Sequence, residues 1–345
     1  DEYNGPKIAY NVWESTLQPE GFFEKLKEFD QLWVPSKWQK ECTVNQGYDE
    51  SKIRVVPEGV DVNTFNPNVN KSYHPILSED RFTFFLAGRW DYRKSTKEVI
   101  ESFINTFGKS EPVDLIVSVD NPFSNDNLNS TEERLKHYGL SDDRIKILHF
   151  PPRDEYISLL KNCNVFVSCS RSEGWNLPLI ESMSCGTPSI YSNCSGQLEF
   201  AEGKGIPINI LGEKPVNESD YNHFNESVGN YYEPDFNHLS KQMREVYNNY
   251  PHYKSKSIIE SKEIRDNFSW DNVAKIGINT LENFIENKPN KIDNNEIKVS
   301  YIDGPRVEII GDFYKTYNIE FIDGEGNVRF SDTITNNMWS ASSIK

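Results

Sequence analysis

The stretch 171–188, RSEGWNLPLIESMSCGTP, constrains the fold of this chain more than any other. Just upstream, residues 164–170 (NVFVSCS) form a short apolar run, which is typical of a buried strand. Pro178 suits the first position of a helix, because its missing N–H would be unpaired there anyway and its φ is already helical. The order of strand, loop and helix therefore predicts an α/β unit.

Two acids flank the start of this helix, Glu173 before the loop and Glu181 about one turn into the helix. The free N–H groups of a first helical turn bind anions, usually phosphate, and Gly174 lets a ligand approach the backbone closely. Carboxylates accept hydrogen bonds from the hydroxyls of a ribose or a sugar. The pattern thus indicates a sugar diphosphate site. The alternative is two solvated carboxylates, which favour a helix start by about 0.3–1 kcal/mol.

The string E-G-x-x-L-P-x-x-E followed by S-C-G-T-P resembles the donor-site signature of retaining GT-B glycosyltransferases, and most closely that of glycosyltransferase family 4. The resemblance implies that Glu181 binds the nucleotide ribose and that Glu173, as a catalytic residue, touches the transferred sugar. It also implies that Gly174, Trp175, Asn176 and Leu177 belong to the donor site.

A second loop of the family follows the predicted strand 81–87 (RFTFFLA) and precedes the predicted helix 95–107. In the family, an Arg and a Lys of a G-R…K loop hold the donor diphosphate, and Gly88, Arg89 and Lys94 match that loop. Arg presents a planar fork to phosphate oxygens, and Lys presents a point charge. Taken alone, these cations could equally be exposed loop residues.

The strand predicted at 145–150 (IKILHF) leads into a segment that, by resemblance, holds the nucleotide base, around Phe150 and Arg153. His149 lies in this apolar strand, and a structural role is the favoured interpretation. Residues 203–230 are rich in Asn, Gly and Pro and predict an exposed, mobile insertion.

The predicted fold class is α/β: a GT-B-type, Rossmann-like parallel sheet domain, a truncated first α/β domain and a small C-terminal antiparallel β domain. The string FDQLWVPSKWQKE…IRVVPEGVDVNTFNP resembles the end of the first GT-B domain and the hinge. Alternating segments after 295, divided by Asp-Gly and Gly-Glu-Gly turns, predict antiparallel strands. We therefore predict a first-domain remnant and hinge at 1–66, a nucleotide-sugar-binding domain at 67–290 and an incomplete β-rich domain at 295–345, all within a larger multidomain protein.

Composition excludes several classes of protein. A formal net charge of −16 argues against nucleic acid and anionic lipid as partners. No apolar run approaches the ~20 residues of a membrane span, so no transmembrane segment is expected. The 5 cysteines form no Cys-x-x-Cys pair, which argues against a disulfide scaffold and a zinc site and favours the cytoplasm. No metal and no cofactor are expected, since an Asp-x-Asp signature is absent from any convincing context.

The sequence thus predicts a hexosyltransferase that moves a sugar from a nucleotide-diphospho-sugar to a glycan or lipid-linked acceptor with retention. Arg89, Lys94 and the amides near the start of the helix would neutralise the leaving group. Glu14 in NVWEST is the acceptor-side candidate. Two alternatives remain open. A donor-binding module would bind donor without transfer, and a nucleotide-sugar 2-epimerase would change the donor's sugar with no acceptor present.

Overall fold

The computed structural model describes residues 6–68, 74–123, 127–216, 226–286, 296–301, 306–310, 317–322 and 328–334. These residues fall into two compact units. The larger unit contains Glu14–Thr16 and Val60–Trp270. The smaller unit contains the described residues before Glu14, Leu17–Gly59 and those from Asp271 onward.

The elements follow one another along the chain in an α/β alternation. The strands are β1 (Lys7–Tyr10), β2 (Gln31–Val34), β3 (Ile53–Val55), β4 (Phe82–Ala87), β5 (Val113–Ser118), β6 (Ile145–Ile147), β7 (Val165–Ser168), β8 (Ser189–Ser192), β9 (Ile206–Ile208), β10 (Ile210–Pro215), β11 (Asn230–Pro234), β12 (Glu296–Tyr301), β13 (Arg306–Ile310), β14 (Tyr317–Ile322) and β15 (Val328–Ile334). The helices are α1 (Glu20–Leu26), α2 (Lys37–Asn45), α3 (Thr96–Thr106), α4 (Thr131–His137), α5 (Arg153–Asn162), α6 (Leu177–Ser184), α7 (Leu198–Ala201), α8 (Phe236–Asn248), α9 (Tyr250–Phe268) and α10 (Trp270–Glu286).

The sheet of the smaller unit has the order β15-β14-β13-β12-β1-β2-β3. Strands β1, β2 and β3 are parallel, and α2 begins where the Ser36 hydroxyl accepts the Gln39 N–H. Strands β12 to β15 pair antiparallel in sequence order, as predicted. The structure adds that β12 also pairs in parallel with β1, so these strands extend the same sheet. The domain limits given above stay a prediction.

The larger unit is built on a parallel sheet of six strands in the order β6-β5-β4-β7-β8-β9. Successive residues of β4 pack into different cores: Phe84 and Leu86 lie in one hydrophobic cluster and Phe85 in the other. This alternation follows from the two-residue period of a strand and covers both faces of the sheet.

The order of strands in this sheet reverses at β4. From β4 the chain moves outward through β5 to β6 and then returns to the other side of β4 as β7. The loops that follow β4 and β7 therefore lie side by side at the carboxyl edge of the sheet. Such a switch point is where open α/β sheets bind their ligands.

The prediction of one exposed insertion at 203–230 was wrong for its first part. Ile206 and Ile208 are buried in β9, the sixth strand of the sheet, and β10 pairs antiparallel with β11. The Gly/Pro-rich composition hid this strand, because Pro207 is tolerated in a strand at the edge of a sheet. Residues 217–225 lie outside the described part of the chain.

Within the part of the chain that the structure describes, no helix combines the length and the hydropathy that a membrane span requires.

Candidate active site

The loop after β4 turns one of its cations outward and two inward. The Arg89 side chain is half-exposed and lies 3.6 Å from Asp91, whereas Arg93 is buried. The Asp91 carboxylate accepts the Lys94 N–H at 2.7 Å, which closes the turn. Gly88 takes a φ of +148°, a conformation that side chains disfavour, and the Lys94 stem passes beside it.

Glu173 lies in the middle of the loop after β7 and pairs with both inward cations. Its Oε1 lies 2.5 Å from Lys94 Nζ, and its Oε2 lies 3.0 Å from the Arg93 guanidinium. The Arg93 guanidinium also donates to the Ser172 carbonyl at 2.9 Å and lies 3.1 Å from the Glu14 carboxylate. Burial alone would raise the pKa of Glu173, but Lys94 and Arg93 hold it well below its usual range.

Backbone contacts bind the two loops to each other and to the loop 193–199. The Arg171 N–H donates to the Arg93 carbonyl at 2.7 Å. The Glu173 N–H donates to the Ser195 hydroxyl at 3.0 Å, and the Gly196 N–H donates to the Glu173 carbonyl at 2.9 Å. Glu173 is therefore held by its side chain and by its backbone.

The start of α6 differs by one residue from the sequence prediction. Asn176, in the left-handed region with φ of 87°, is the N-cap, so Pro178 is the second helical residue. The Asn176 side chain accepts from Leu179 N and donates to Ser168 Oγ at 2.9 Å and Gln197 Oε1 at 2.7 Å. Because Pro178 has no N–H and the Leu179 N–H is directed to Asn176, this turn offers an anion fewer amides than the sequence pattern indicates.

The contacts of Glu181 differ from those of Glu173. Its Oε2 accepts the Tyr156 hydroxyl at 2.7 Å. Burial raises the pKa of Glu181 to about 7; the Tyr156 bond and the charge of Arg153 oppose this shift, and Asp61 adds to it. A carboxylate whose pKa is raised to near neutral by burial is a functional-site candidate on physical grounds.

The other predicted donor-site residues occupy different environments. Trp175 is buried and packs its ring against Phe200 and Phe268 at centroid distances of 5.1 and 5.7 Å. Phe150 is 68% exposed with φ of 35°, and Leu177 is 42% exposed. Arg153 opens α5 with its guanidinium 5.6 Å from the Phe65 ring. The roles of Glu173, Glu181, Arg89, Lys94, Gly88, Gly174, Trp175, Asn176, Leu177, Phe150, Arg153 and Glu14 stay predictions.

His149 lies outside the strand in which the sequence placed it. β6 ends at Ile147, and the half-exposed His149 ring bonds to Asp120 at 3.0 Å and to Glu132 at 2.9 Å. Both carboxylates raise its pKa. A structural role for His149 therefore stays a prediction.

Sequence reasoning missed Arg93 and Tyr156. Arg93 stands in the same GRWDYRK loop as Arg89, and a loop sequence does not show which of two arginines turns inward. A signal for Arg93 is its place directly before Lys94, at the point where α3 is about to begin. Tyr156 lies in α5, where an aromatic residue is expected to pack in the core, and nothing in its spacing points to Glu181.

The family model of glycosyl transferases group 1 matches residues 71–207, the segment that carries β4 to β8 and both loops of the site. This segment is therefore similar to the group 1 glycosyltransferases. The GT-B-like resemblance read from the sequence is therefore confirmed.

Curated proteins similar to this chain include two from bacteria. The D-inositol 3-phosphate glycosyltransferase of Paenarthrobacter aurescens is 26% identical over 52% of this chain and 44% of its own length. An Escherichia coli protein named UDP-Gal:alpha-D-GlcNAc-diphosphoundecaprenol alpha-1,3-galactosyltransferase is 32% identical over 46% of this chain and 41% of its own. The chain spans less than half the length of these relatives.

Solved structures agree on the fold. Anabaena HepE in complex with UDP and glucose superposes with a TM-score of 0.62 over 81% of this chain and 72% of its own, at 13% identity. Sucrose-phosphate synthase from Thermosynechococcus elongatus superposes with a TM-score of 0.56 over 77% of this chain and 61% of its own, at 22% identity. The predicted α/β, GT-B-type fold class is confirmed.

Proposed function

We propose that this group 1 glycosyltransferase transfers a hexose from a nucleotide-diphospho-sugar to a hydroxyl acceptor with retention of anomeric configuration. The observation that carries the proposal is the buried Glu173 with Lys94 at 2.5 Å, where the loops after β4 and β7 meet at the switch point. An acid that accepts sugar hydroxyls beside a cation that attracts phosphate suits the two halves of such a donor.

Each part of the donor then has a partner in this unit. Lys94 and the half-exposed Arg89 would bind the diphosphate and stabilise the charge that develops on it as the glycosidic bond breaks. Glu181 would accept the ribose hydroxyls, with Tyr156 fixing one of its oxygens. The exposed ring of Phe150, after β6 at the same edge of the sheet, would face the base. The complex of HepE with UDP and glucose supports a donor of this class.

The acceptor is proposed to be a glycan or a lipid-linked saccharide, in keeping with the lipid diphosphate in the name of the E. coli relative. The Glu14 carboxylate lies 3.1 Å from Arg93, and Arg93 in turn contacts Glu173. This places Glu14 near Glu173, as is expected of an acceptor-side group. All five cysteines are free thiols, which supports a reducing, cytoplasmic location.

The decisive experiment is a transfer assay with a panel of UDP-, GDP-, ADP- and CMP-sugars and a library of saccharide acceptors. We expect one donor class to be consumed only when an acceptor is present, and NMR of the product to show the anomeric configuration of the donor. Binding without transfer would favour the donor-binding module, and a changed sugar without acceptor would favour the epimerase. An inverted product would contradict retention.

Transfer is proposed to need no metal ion, because Lys94 and Arg89 already supply positive charge where the diphosphate would bind. We expect the rate of transfer to be unchanged after treatment with EDTA and after addition of Mg²⁺ or Mn²⁺. A rate that falls at least tenfold with EDTA and returns with Mg²⁺ would contradict this part of the proposal.

Donor affinity is expected to depend on pH through Glu181. Its folded pKa of about 7 lies above the ordinary value of 4.5, so its burial destabilises the fold increasingly as pH rises from about 4.5 to 7. Ribose hydroxyls bind the ionised form, so affinity for UDP-glucose, which has no terminal phosphate to titrate, should rise from pH 6 to 8. Calorimetry across this range checks the slope.

The matched control for this pH dependence is Glu181→Gln, which keeps the shape and removes the titration. We expect weaker binding and a flat profile for this variant. An equal slope in both proteins would assign the titration to another group.

A further inference from the structure

The two cations that bind Glu173 differ in how firmly they are held. Arg93 is 5% exposed, and its guanidinium contacts Glu173, the Ser172 carbonyl and Glu14 at 3.0, 2.9 and 3.1 Å. Lys94 reaches the other oxygen of Glu173 with its ammonium, and its side chain is 17% exposed. Arg93 is thus fixed by acceptors on several sides, whereas Lys94 lies at the more open edge of the cluster.

We propose that Arg93 is a positioning residue that serves as the permanent counterion of Glu173 and so lets Lys94 move from this carboxylate to the phosphates of an incoming nucleotide. This inference rests on the proposed function, because it gives the same site a phosphate-bearing ligand. It adds a residue that the family resemblance did not assign and a role for it that concerns binding rather than folding.

The electrostatic argument starts from the cost of a buried charge. An ionised carboxylate that loses its partner in the interior is strongly destabilised. If Lys94 were the sole counterion of Glu173, its departure would leave such a carboxylate, and the nucleotide would have to offset that cost. With Arg93 in place, Glu173 keeps a full positive charge at 3.0 Å when Lys94 leaves.

The chemistry of the two side chains matches these two roles. A guanidinium stays charged at any physiological pH and its fixed fork serves several acceptors at once. An ammonium on a flexible stem can swing between acceptors. Glu14, whose side chain is 33% exposed, is partly solvated, so the charge of Arg93 acts mainly on Glu173.

The test measures affinity by calorimetry for three probes: the best-binding nucleoside diphosphate among UDP, GDP and ADP, the matching nucleoside, and inorganic pyrophosphate. In Arg93→Met, Lys94 would stay paired with Glu173, because the carboxylate has lost its other counterion. We expect affinity for the nucleoside diphosphate to fall roughly 10-fold or more, as for a lost charge-assisted hydrogen bond, with nucleoside affinity unchanged. Lys94→Met should show a loss of similar size.

The diagnostic variant is Arg93→Met combined with Glu173→Gln. Removing the charge of Glu173 releases Lys94, so most of the lost affinity for nucleoside diphosphate should return. A role limited to folding would give no such recovery. Arg89→Ala is the matched control: it removes the exposed cation of the same loop, and Glu173→Gln should not restore its loss.

Wild-type affinity in Arg93→Met, or no recovery in the double variant, would overturn the inference. If Arg93→Met does not fold, Arg93→Lys replaces it, since it keeps the charge. Arg93→Lys should bind nucleoside diphosphate nearly as well as wild type, and a loss equal to that of Lys94→Met would overturn the inference too.

A pyrophosphate measurement separates this inference from the proposed function. Acetic anhydride acetylates Lys94, and mass spectrometry measures the extent of this acetylation. Adding pyrophosphate should change the extent of Lys94 acetylation in wild type but not in Arg93→Met. If this holds while no nucleoside diphosphate binds, the proposed function fails and the counterion role stands. If nucleotides bind and Arg93 has no effect on either probe, the function stands and the counterion role fails.

Discussion

Replacing Glu173 by alanine is expected to lower the free energy of unfolding by about 3 kcal/mol, the lower end of the range for breaking a buried ion pair. The lower end applies because Arg93 keeps Glu14 at 3.1 Å as a second partner. The same change removes the acid beside the reacting sugar, so we expect transfer to fall by about 10²-fold or more. Denaturant unfolding and the transfer assay measure the two effects.

The control for this substitution is Glu263→Ala. Glu263 also pairs with a lysine, Lys204, at 3.0 Å, but its side chain is 58% exposed. An exposed pair of this kind contributes about 0–1 kcal/mol, so stability and transfer should both stay close to wild type. Equal effects of the two substitutions would show that burial of Glu173 does not matter.

Gly196→Ala is expected to cost about 3 kcal/mol or more in unfolding free energy and to weaken donor binding with it. A Cβ at this position would lie 1.9 Å from the Gly174 carbonyl oxygen and 2.8 Å from that of Glu173. Both atoms belong to the backbone, so no flexible side chain can yield. The loop 193–199 would have to move, breaking the bond from Gly196 N–H to the Glu173 carbonyl.

Gly21→Ala provides the comparison for this effect. Gly21 lies in α1, and a Cβ there meets nothing within 4 Å. Alanine in a helix is favoured over glycine by about 0.5–1 kcal/mol, so this variant should be slightly more stable than wild type. A Gly196→Ala protein with wild-type stability and donor affinity would contradict the close approach of the two loops.

Much of the fold was predictable because local patterns carried it. Buried apolar runs marked β4 and β7, and Pro178 placed the start of α6 to within one residue. β9 was not predicted from the sequence. It is only three residues long, so the alternation of Ile206 and Ile208 is a weak strand signal beside the Gly and Pro residues around them. Pairing of β12 with β1 joins strands nearly 300 residues apart in the chain, which no local pattern encodes.

The sequence by itself determined the strand, loop and helix context of Glu173 and Glu181, because these patterns are local. From that context it predicted one donor site for Glu173, Glu181 and Lys94. Only the tertiary structure decided that Arg93 rather than Arg89 joins Lys94 at Glu173, that Tyr156 binds Glu181, and that Trp175 packs in the core. The physical reason is the sheet order. Reversal at β4 brings together loops that are 79–80 residues apart, so the pairing of Arg93 with Glu173 depends on the strand order and not on a local pattern.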